Sequence, residues 1–385
     1  MISRQRIAVS VAFLAFGVAA GTVIPRLPTL KEQLYLSDGQ VGIALLGVSL
    51  GGITGALLAR LVIRRDARLY ARLSVLALCA TLVGPGLAAN FGELMLAFYL
   101  FGCCCGVLDV LVNAQGAQLE NTEGRPLING FHGFWSLGAV IGSVVAGVAA
   151  YIGIAPPVQF LAIGVTIAVA SFQFLKFLPA YGEPIVSADG EVARRAGGAA
   201  VLAVCVMCFT GVIAEGGTAD WSPLFLRELS HASPAVAAAG FSGFSLAATL
   251  VRFRADLLTA LTSREAVARL GAGVAVGGLV LAIALPALPT ALIGFALVGM
   301  GTAVVLPLAF AAGANLSPTG TPLSLVLAST YAGTIAGPPA IGALADHVGL
   351  RAAMGVPLLA AAVVLALAAQ ANPQMKRITA SIPRW

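Results

Sequence analysis

The sequence predicts an all-α polytopic membrane protein, twelve transmembrane helices arranged as two six-helix repeats. Three observations lead there. Of 385 residues, 59% are hydrophobic and only 10% are charged, whereas soluble domains carry roughly 25% charged residues. Mean hydropathy is +0.96. Apolar stretches of about 20 residues recur along the chain, the length that crosses roughly 30 Å of hydrocarbon at 1.5 Å per residue. A soluble enzyme, a disordered chain and a secreted disulfide scaffold are thereby excluded. The basic balance, +6 with a pI of 9.2, needs no nucleic acid, because membrane proteins gather Lys and Arg in their cytoplasmic loops.

Apolar runs and their breakers place the spans at 7–30, 38–59, 71–89, 93–117, 130–151, 156–178, 198–224, 234–253, 267–286, 289–312, 322–344 and 352–370. The first follows Met1 to Arg6 as a signal peptide would, but it outruns a signal h-region and precedes eleven more spans, so it reads as an uncleaved helix. An even number of spans puts both termini on one side. Of the 22 basic residues, all but Arg26, Lys31, Arg227 and Arg351 fall on that same side, which predicts cytoplasmic termini and a bacterial inner-membrane location. Cys79, Cys103, Cys104, Cys105, Cys205 and Cys208 lie inside apolar runs and read as small packing residues. The C-x-x-C spacing of Cys205 and Cys208 has no second pair of soft ligands to complete a metal site.

The longest polar stretch between spans, 180–197, separates a first bundle at 1–179 from a second at 198–385, with six spans in each. The halves repeat each other. Gly138, Gly142 and Gly147 recur 195 residues later as Gly333, Gly337 and Gly342, and Gly124, Pro126 and Leu127 recur after 196 as Gly320, Pro322 and Leu323. GVAAG of span 1 recurs as GVIAE of span 7, displaced by 194, which sets Arg26 opposite Asp220.

Two parallel six-helix repeats are the architecture of the major facilitator superfamily, which this chain resembles over its whole length. The stretch after span 2, GALLARLVIRR, is similar to that superfamily's glycine, acid and basic signature, with Arg60 present and Ala59 at the acid position. Its counterpart after span 8, beginning at Arg252, holds an acid, Asp256. The resemblance implies that Arg60, Arg252 and Asp256 gate the cytoplasmic helix ends. A closer similarity is to the fucose-permease-like branch of sugar and proton symporters. It rests on Asp109 followed four residues later by Asn113 in span 4, and on Ser136, Gly138 and Ala139 in span 5, with Trp135 where that branch has a polar residue. This resemblance implies a substrate site near the midplane between the halves and a sugar-like solute.

The residues themselves point to candidates. Asp109 lies deep in span 4, where a carboxylate costs several kcal/mol unless it faces a cavity or is protonated. It shares a helix stripe with Gly102, Gly106, Asn113 and Gly116, which makes it the first candidate for proton coupling. Glu215, beside Gly216 and Gly217 in span 7, is a candidate for both coupling and substrate contact. His132, with a reference pKa of about 6.5, completes the proton-coupling set. Asn113, Trp135 and Trp221 are candidates for substrate contact, although packing or interfacial belt positions explain many membrane tryptophans. Arg26 and Asp220 form a candidate outer gate. The glycines of span 5 and the Gly337, Pro338, Pro339 break of span 11 are assigned to conformational change.

No phosphate loop accompanies the spans, and neither a catalytic triad nor a metal cluster is evident. The expectation is therefore a non-enzymatic secondary transporter without a cofactor, driven by the proton gradient. It would act as a monomer on a small-molecule substrate in contact with membrane lipid and without nucleic acid. Export of a drug or metabolite remains open beside sugar symport, as does a non-transporting receptor or scaffold on the same fold.

Overall fold

The computed structural model describes residues 3–124, 127–179, 198–316 and 321–371. The expected linker 180–197 and residues 125–126 lie outside the described residues. Among the described residues every regular element is a helix. The membrane helices are α1 (Arg4–Leu34), α2 (Asp38–Val62), α3 (Asp66–Leu87), α4 (Phe91–Glu123), α5 (Ile128–Tyr151), α6 (Pro156–Leu175), α7 (Gly198–Leu229), α8 (Pro234–Arg252), α9 (Arg264–Ala284), α10 (Leu288–Gly313), α11 (Thr321–Val348) and α12 (Leu350–Ala371). Eleven spans among the described residues are both long and apolar enough to cross a membrane. The twelfth helix, α11, has the length at 28 residues, and it stays helical through Pro338 and Pro339, where the sequence suggests a break.

Polar residues at the loops start and stop these helices. Ser37 and Gln40 form a reciprocal capping box at the start of α2, closing on each other's backbone N–H at 3.2 and 3.0 Å. Asn90 caps α4, and Ser233 followed by Pro234 opens α8. Gly124 ends α4 at φ 65°, and Gly349 separates α11 from α12 at φ 81°, a left-handed region that favours glycine. The second and third spans are not separated by a loop as expected. One helical stretch, Asp38–Thr81, is broken only at Asp66 (φ −140°, ψ 87°), whose carboxylate accepts from Leu69 N at 3.0 Å and so caps α3 five residues before the predicted start. The arginines around the break are good helix formers and carry the helix up to it.

Within the first six helices α1 packs on α5 and α2 on α4. Within the last six α7 packs on α11 and α9 on α10, and the two groups meet along α2 with α11 and α5 with α8. Glycine makes the closest approaches possible. In lipid there is little hydrophobic drive between helices, so association depends on backbone proximity. Gly51 and Gly55 of α2 face the backbone of Tyr99 and Cys103 on α4, while Gly102 and Gly106 of α4 face the backbone of Val48 and Gly52. On the α1–α5 crossing Gly138 meets Leu14 and Gly142 meets Val18. On the α7–α11 crossing Gly333 meets Phe209 and Gly337 meets Ile213. Each contact in the second pair is the first displaced by 195 on both partners, so the internal repeat extends to packing geometry.

Ser3 Oγ donates to Glu123 Oε1 at 3.1 Å, placing the N-terminus at the same end as the last turn of α4. At the opposite end, called the far end below, α1 and α2 are tied to α7 and α11 by side chains. Lys31 Nζ lies 2.6 Å from Asp38 and also pairs with Glu228. Arg227 donates to Glu32 at 2.5 Å, and Ser37 Oγ donates to Asp346 at 2.9 Å. Going from there toward the termini, Ser49 Oγ still donates to Thr334 O at 3.3 Å, but Tyr331, one turn further, is half exposed. The structure is closed at the far end.

The packing predicts unequal costs for two glycine changes. Gly138→Val places methyl groups against the α1 backbone and should destabilise by about 3 kcal/mol, the upper end for forced overpacking. Gly273→Ala, where a methyl meets open space, should be neutral or stabilising by up to about 1 kcal/mol through helix propensity. Thermal unfolding of both variants in detergent measures the difference, and similar melting temperatures for the two would contradict this packing.

Candidate functional site

A cavity of about 380 Å³ lies where α1, α5, α7, α8 and α10 converge. Most of its wall is apolar, with Ile24, Phe241, Phe244 and Leu306 among the lining residues, and its ionisable groups are Glu215, Asp220 and Arg252. That composition suits a small-molecule site, a mostly apolar concavity with a few placed polar groups. Arg252 closes the last turn of α8, where the helix dipole favours a cation. Its guanidinium donates to Glu215 Oε1 on α7 and to Ser136 Oγ on α5, the latter at 3.3 Å. One side chain therefore links the two six-helix groups through the cavity wall. Trp135 lines the same cavity and rests edge-on against Phe16, ring centroids 6.1 Å apart. Gly216 has open space where a side chain would stand, which leaves room beside Glu215.

A second polar cluster adjoins the first. Asn113 Nδ2 donates to both the backbone oxygen and Oδ1 of Asp109, each at 2.9 Å, and Asn113 Oδ1 lies 3.1 Å from His132 Nε2. Because that amide oxygen only accepts, the imidazole carries its proton on Nε2 in this arrangement. The i to i+4 spacing of Asp109 and Asn113 puts both on one helix face, and the first turns of α5 place His132 beside them. His132 packs edge-on against Phe13 at 5.2 Å and lies within electrostatic reach of Arg252. Asp109 in turn acts on Tyr331 of α11, as does Arg60. Asp109, Asn113 and His132 thus form one hydrogen-bonded group, and Arg252, Ser136 and Glu215 a second beside it.

Several expected placements are corrected. Arg252, expected near a cytoplasmic gate, stands at the last turn of α8 and also lines the cavity, bonded to Glu215 of the longer α7. Trp221 is fully buried and is not a lining residue. Its position on α7 points it into helix packing, so it does not offer a substrate surface. Arg26 and Asp220 do not pair. Arg26 is only 2% exposed and donates to Ile154 O on the α5–α6 turn, while Asp220 faces the cavity. The 3₁₀ turn Ile24–Arg26, imposed by Pro25, rotates Arg26 toward that turn and away from α7. Arg60 is exposed and has no acidic partner among the described residues, and the Asp256 side chain lies outside the described residues.

The far-end ties of Lys31, Glu32, Asp38, Arg227, Glu228 and Asp346 were not anticipated from the sequence. A signal for one of them exists. Glu32 and Arg227 are 195 residues apart, the displacement of the glycine repeat, and equivalent positions near a pseudo-two-fold axis meet each other. The Arg26 and Asp220 alignment used the same symmetry, nearly two helical turns too early. No group of three or more His, Cys, Asp or Glu side chains able to hold a metal is found among the described residues.

Comparison with known proteins agrees with this architecture. The sequence profile of the Major Facilitator Superfamily matches residues 9–320. An uncharacterised transporter of Sinorhizobium fredii, y4wD, is 32% identical over 365 residues, covering 94% of this chain and 96% of the relative. An uncharacterised MFS-type transporter of Yersinia pestis is 31% identical, covering 91% of each chain. Among solved structures, a variant of the nucleoside transporter NupG superposes with a TM-score of 0.75 at 12% identity, covering 94% of this chain and 98% of that one. A bacterial homologue of the human lysosomal transporter Spinster, in an inward-facing and occupied conformation, gives 0.70 at 15% identity, covering 95% and 96%. With the profile spanning most of its length and relatives above 30% identity along nearly all of it, the chain belongs to the Major Facilitator Superfamily of membrane transporters.

Proposed function

We propose that this transporter moves a small polar, sugar-like solute across the bacterial cytoplasmic membrane by alternating access, coupled to protons through Asp109. The observation that carries the reading is the hydrogen-bonded group of Asp109, Asn113 and His132 beside the bonded Arg252 and Glu215 at a cavity between the helix groups. A carboxylate held deep in a span by one amide can load and release a proton, and Arg252 transmits the change to the substrate cavity electrostatically. The moving bodies are the bundles 1–179 and 198–385 joined by 180–197, acting as a monomer. With both termini cytoplasmic, as the distribution of basic residues implies, the closed far end faces outward and the cavity serves the inner side. The similarity of Asp109, Asn113 and the Ser136 to Ala139 stretch to the fucose-permease-like branch supports a sugar-like solute. The apolar wall of Ile24, Phe241, Phe244 and Leu306 favours a second reading, export of an amphipathic metabolite or drug.

Two outcomes test this. In proteoliposomes screened with radiolabelled monosaccharides, the Asp109→Asn protein should exchange solute at near the parental rate yet lose accumulation driven by a pH gradient, a fall of at least about tenfold in uphill uptake. Undiminished uphill uptake would remove Asp109 from the coupling role.

The far-end ties should differ in weight. Lys31 sits between Asp38 and Glu228 with its side chain 17% exposed, whereas Glu32 and Arg227 are 48% and 33% exposed. An exposed pair contributes at most about 1 kcal/mol, so Glu32→Ala should shift the conformational balance by less than about fivefold. Lys31→Met leaves two carboxylates facing each other and should shift it further toward the outward-open form. Labelling of Ala20→Cys from outside by a membrane-impermeant thiol reagent, in a cysteine-free parent, reports the shift. Equal labelling rates for the parent and Lys31→Met proteins would show that Lys31 does not hold this end shut.

A further inference from the structure

The cavity holds three ionisable side chains, and two of them satisfy each other. Arg252 and Glu215 are joined by a charge-assisted hydrogen bond, and Ser136 shares the guanidinium. Asp220, on α7 and in the same lining, has no hydrogen-bond or ion-pair partner among the described residues, and no neighbouring charge acts on it at close range. The nearest basic residue in sequence on the facing helix, Arg26, is outside the lining and committed to Ile154 O. If its acids are ionised, the cavity therefore carries one uncompensated negative charge. A carboxylate in such surroundings needs a proton or a cation, since an unpaired charge away from water is costly. The rest of the wall suits the second choice. Trp135, Phe241 and Phe244 also line the space, and aromatic faces attract an ammonium group, while the lining hydroxyls of Ser136, Ser245 and Thr249 can bind neutral polar groups of the same solute.

We propose that the cavity selects solutes bearing a protonated amine, with Asp220 as the counter-ion, Trp135, Phe241 and Phe244 as the aromatic surround, and the Arg252–Glu215 pair as a neutral part of the wall. This rests on the transport reading above and narrows its substrate class. An anionic solute meets repulsion from Asp220. A neutral one leaves that carboxylate without a counter-ion, so charge at one atom decides between solutes of nearly identical size.

Matched probes test the proposal on the intact purified protein. Glucosamine, glucose and glucuronate form one series, and 2-phenylethylamine, 2-phenylethanol and phenylacetate form another; thermal stabilisation against concentration gives an apparent affinity for each, because a ligand that binds the native state raises the melting temperature by mass action. The expected result is that the amine in at least one series binds about tenfold or more tightly than its neutral and anionic partners. The preference should persist in Asp220→Glu and disappear in Asp220→Asn. Equal affinities within both series, preference for a neutral or anionic member, no stabilisation by either amine at tens of millimolar, or a preference that survives Asp220→Asn would each overturn the proposal. Should Asp220→Asn fail to fold, the comparison in the parent protein still decides. Proton-driven uptake that shows no preference for amines would refute this inference alone, and amine binding without proton-linked movement would refute the coupling mechanism alone.

Discussion

The pairing of Arg252 with Glu215 is the interaction on which the arrangement of this protein turns. A charged side chain inside a bilayer is stable only if it faces a cavity or meets a partner, and here each of these two is the other's partner while both border the cavity. The pair fixes α8 against α7 and, through Ser136, against α5. It also decides where the other polar groups stand. His132 lies within electrostatic reach of Arg252 and is hydrogen-bonded to Asn113, so Asp109 is joined through Asn113 to an imidazole whose charge Arg252 feels.

Such a network can be built only on helices that come close enough for short side chains to meet. The glycine stripes supply that closeness at α1–α5, α2–α4 and α7–α11, where backbone approaches backbone and van der Waals contact replaces the missing hydrophobic drive. The same stripes leave helix surfaces smooth. The seams between the groups, α2 with α11 and α5 with α8, combine glycine contacts, Gly42 against Pro338 and Gly342 against Asp38, with hydroxyl contacts such as Ser143 with Ser242 at 2.9 Å and Ser49 with Thr334. Small residues on both sides of a seam present smooth surfaces, and smooth surfaces let one group rock against the other.

Much of this was legible in the chain. Hydropathy and breakers locate the twelve helices because a bilayer demands long, internally hydrogen-bonded apolar segments, and the displacement of 195 between the glycine triplets reappears as equivalent contacts at Leu14 and Phe209, and at Val18 and Ile213. The Asp109–Asn113 spacing likewise becomes a hydrogen bond, since residues four apart share a helix face. What the chain hid depends on lateral and rotational placement. Trp221 and Trp135 look alike in sequence, but one is fully buried and the other lines the cavity. The turn at Pro25 rotates Arg26 away from α7, a local change of helix type that no hydropathy pattern records. The interruption between the second and third spans is shorter than the expected 60–70 loop, a single residue at Asp66, because the residues on both sides of it favour helix.

The far-end ties show how strong such a closure can be. A transporter has to leave each of its states, so the free-energy gap between them is confined to a few kcal/mol. A closure made of fully desolvated ion pairs would exceed that range, since breaking one strands a charge. Here the Glu32–Arg227 pair stands partly in water, where salt and hydration hold its worth near that of an ordinary surface pair. Lys31 is more enclosed, but it faces two carboxylates, and their mutual repulsion offsets part of its attraction. The guanidinium most deeply buried near this end, Arg26, donates to a carbonyl oxygen on the α5–α6 turn, so its bond lies within the first six helices and does not bridge to α7. The charges that bridge the two groups at this end are therefore either partly hydrated or shared between opposing acids, and that division keeps the closed form stable without making it a trap.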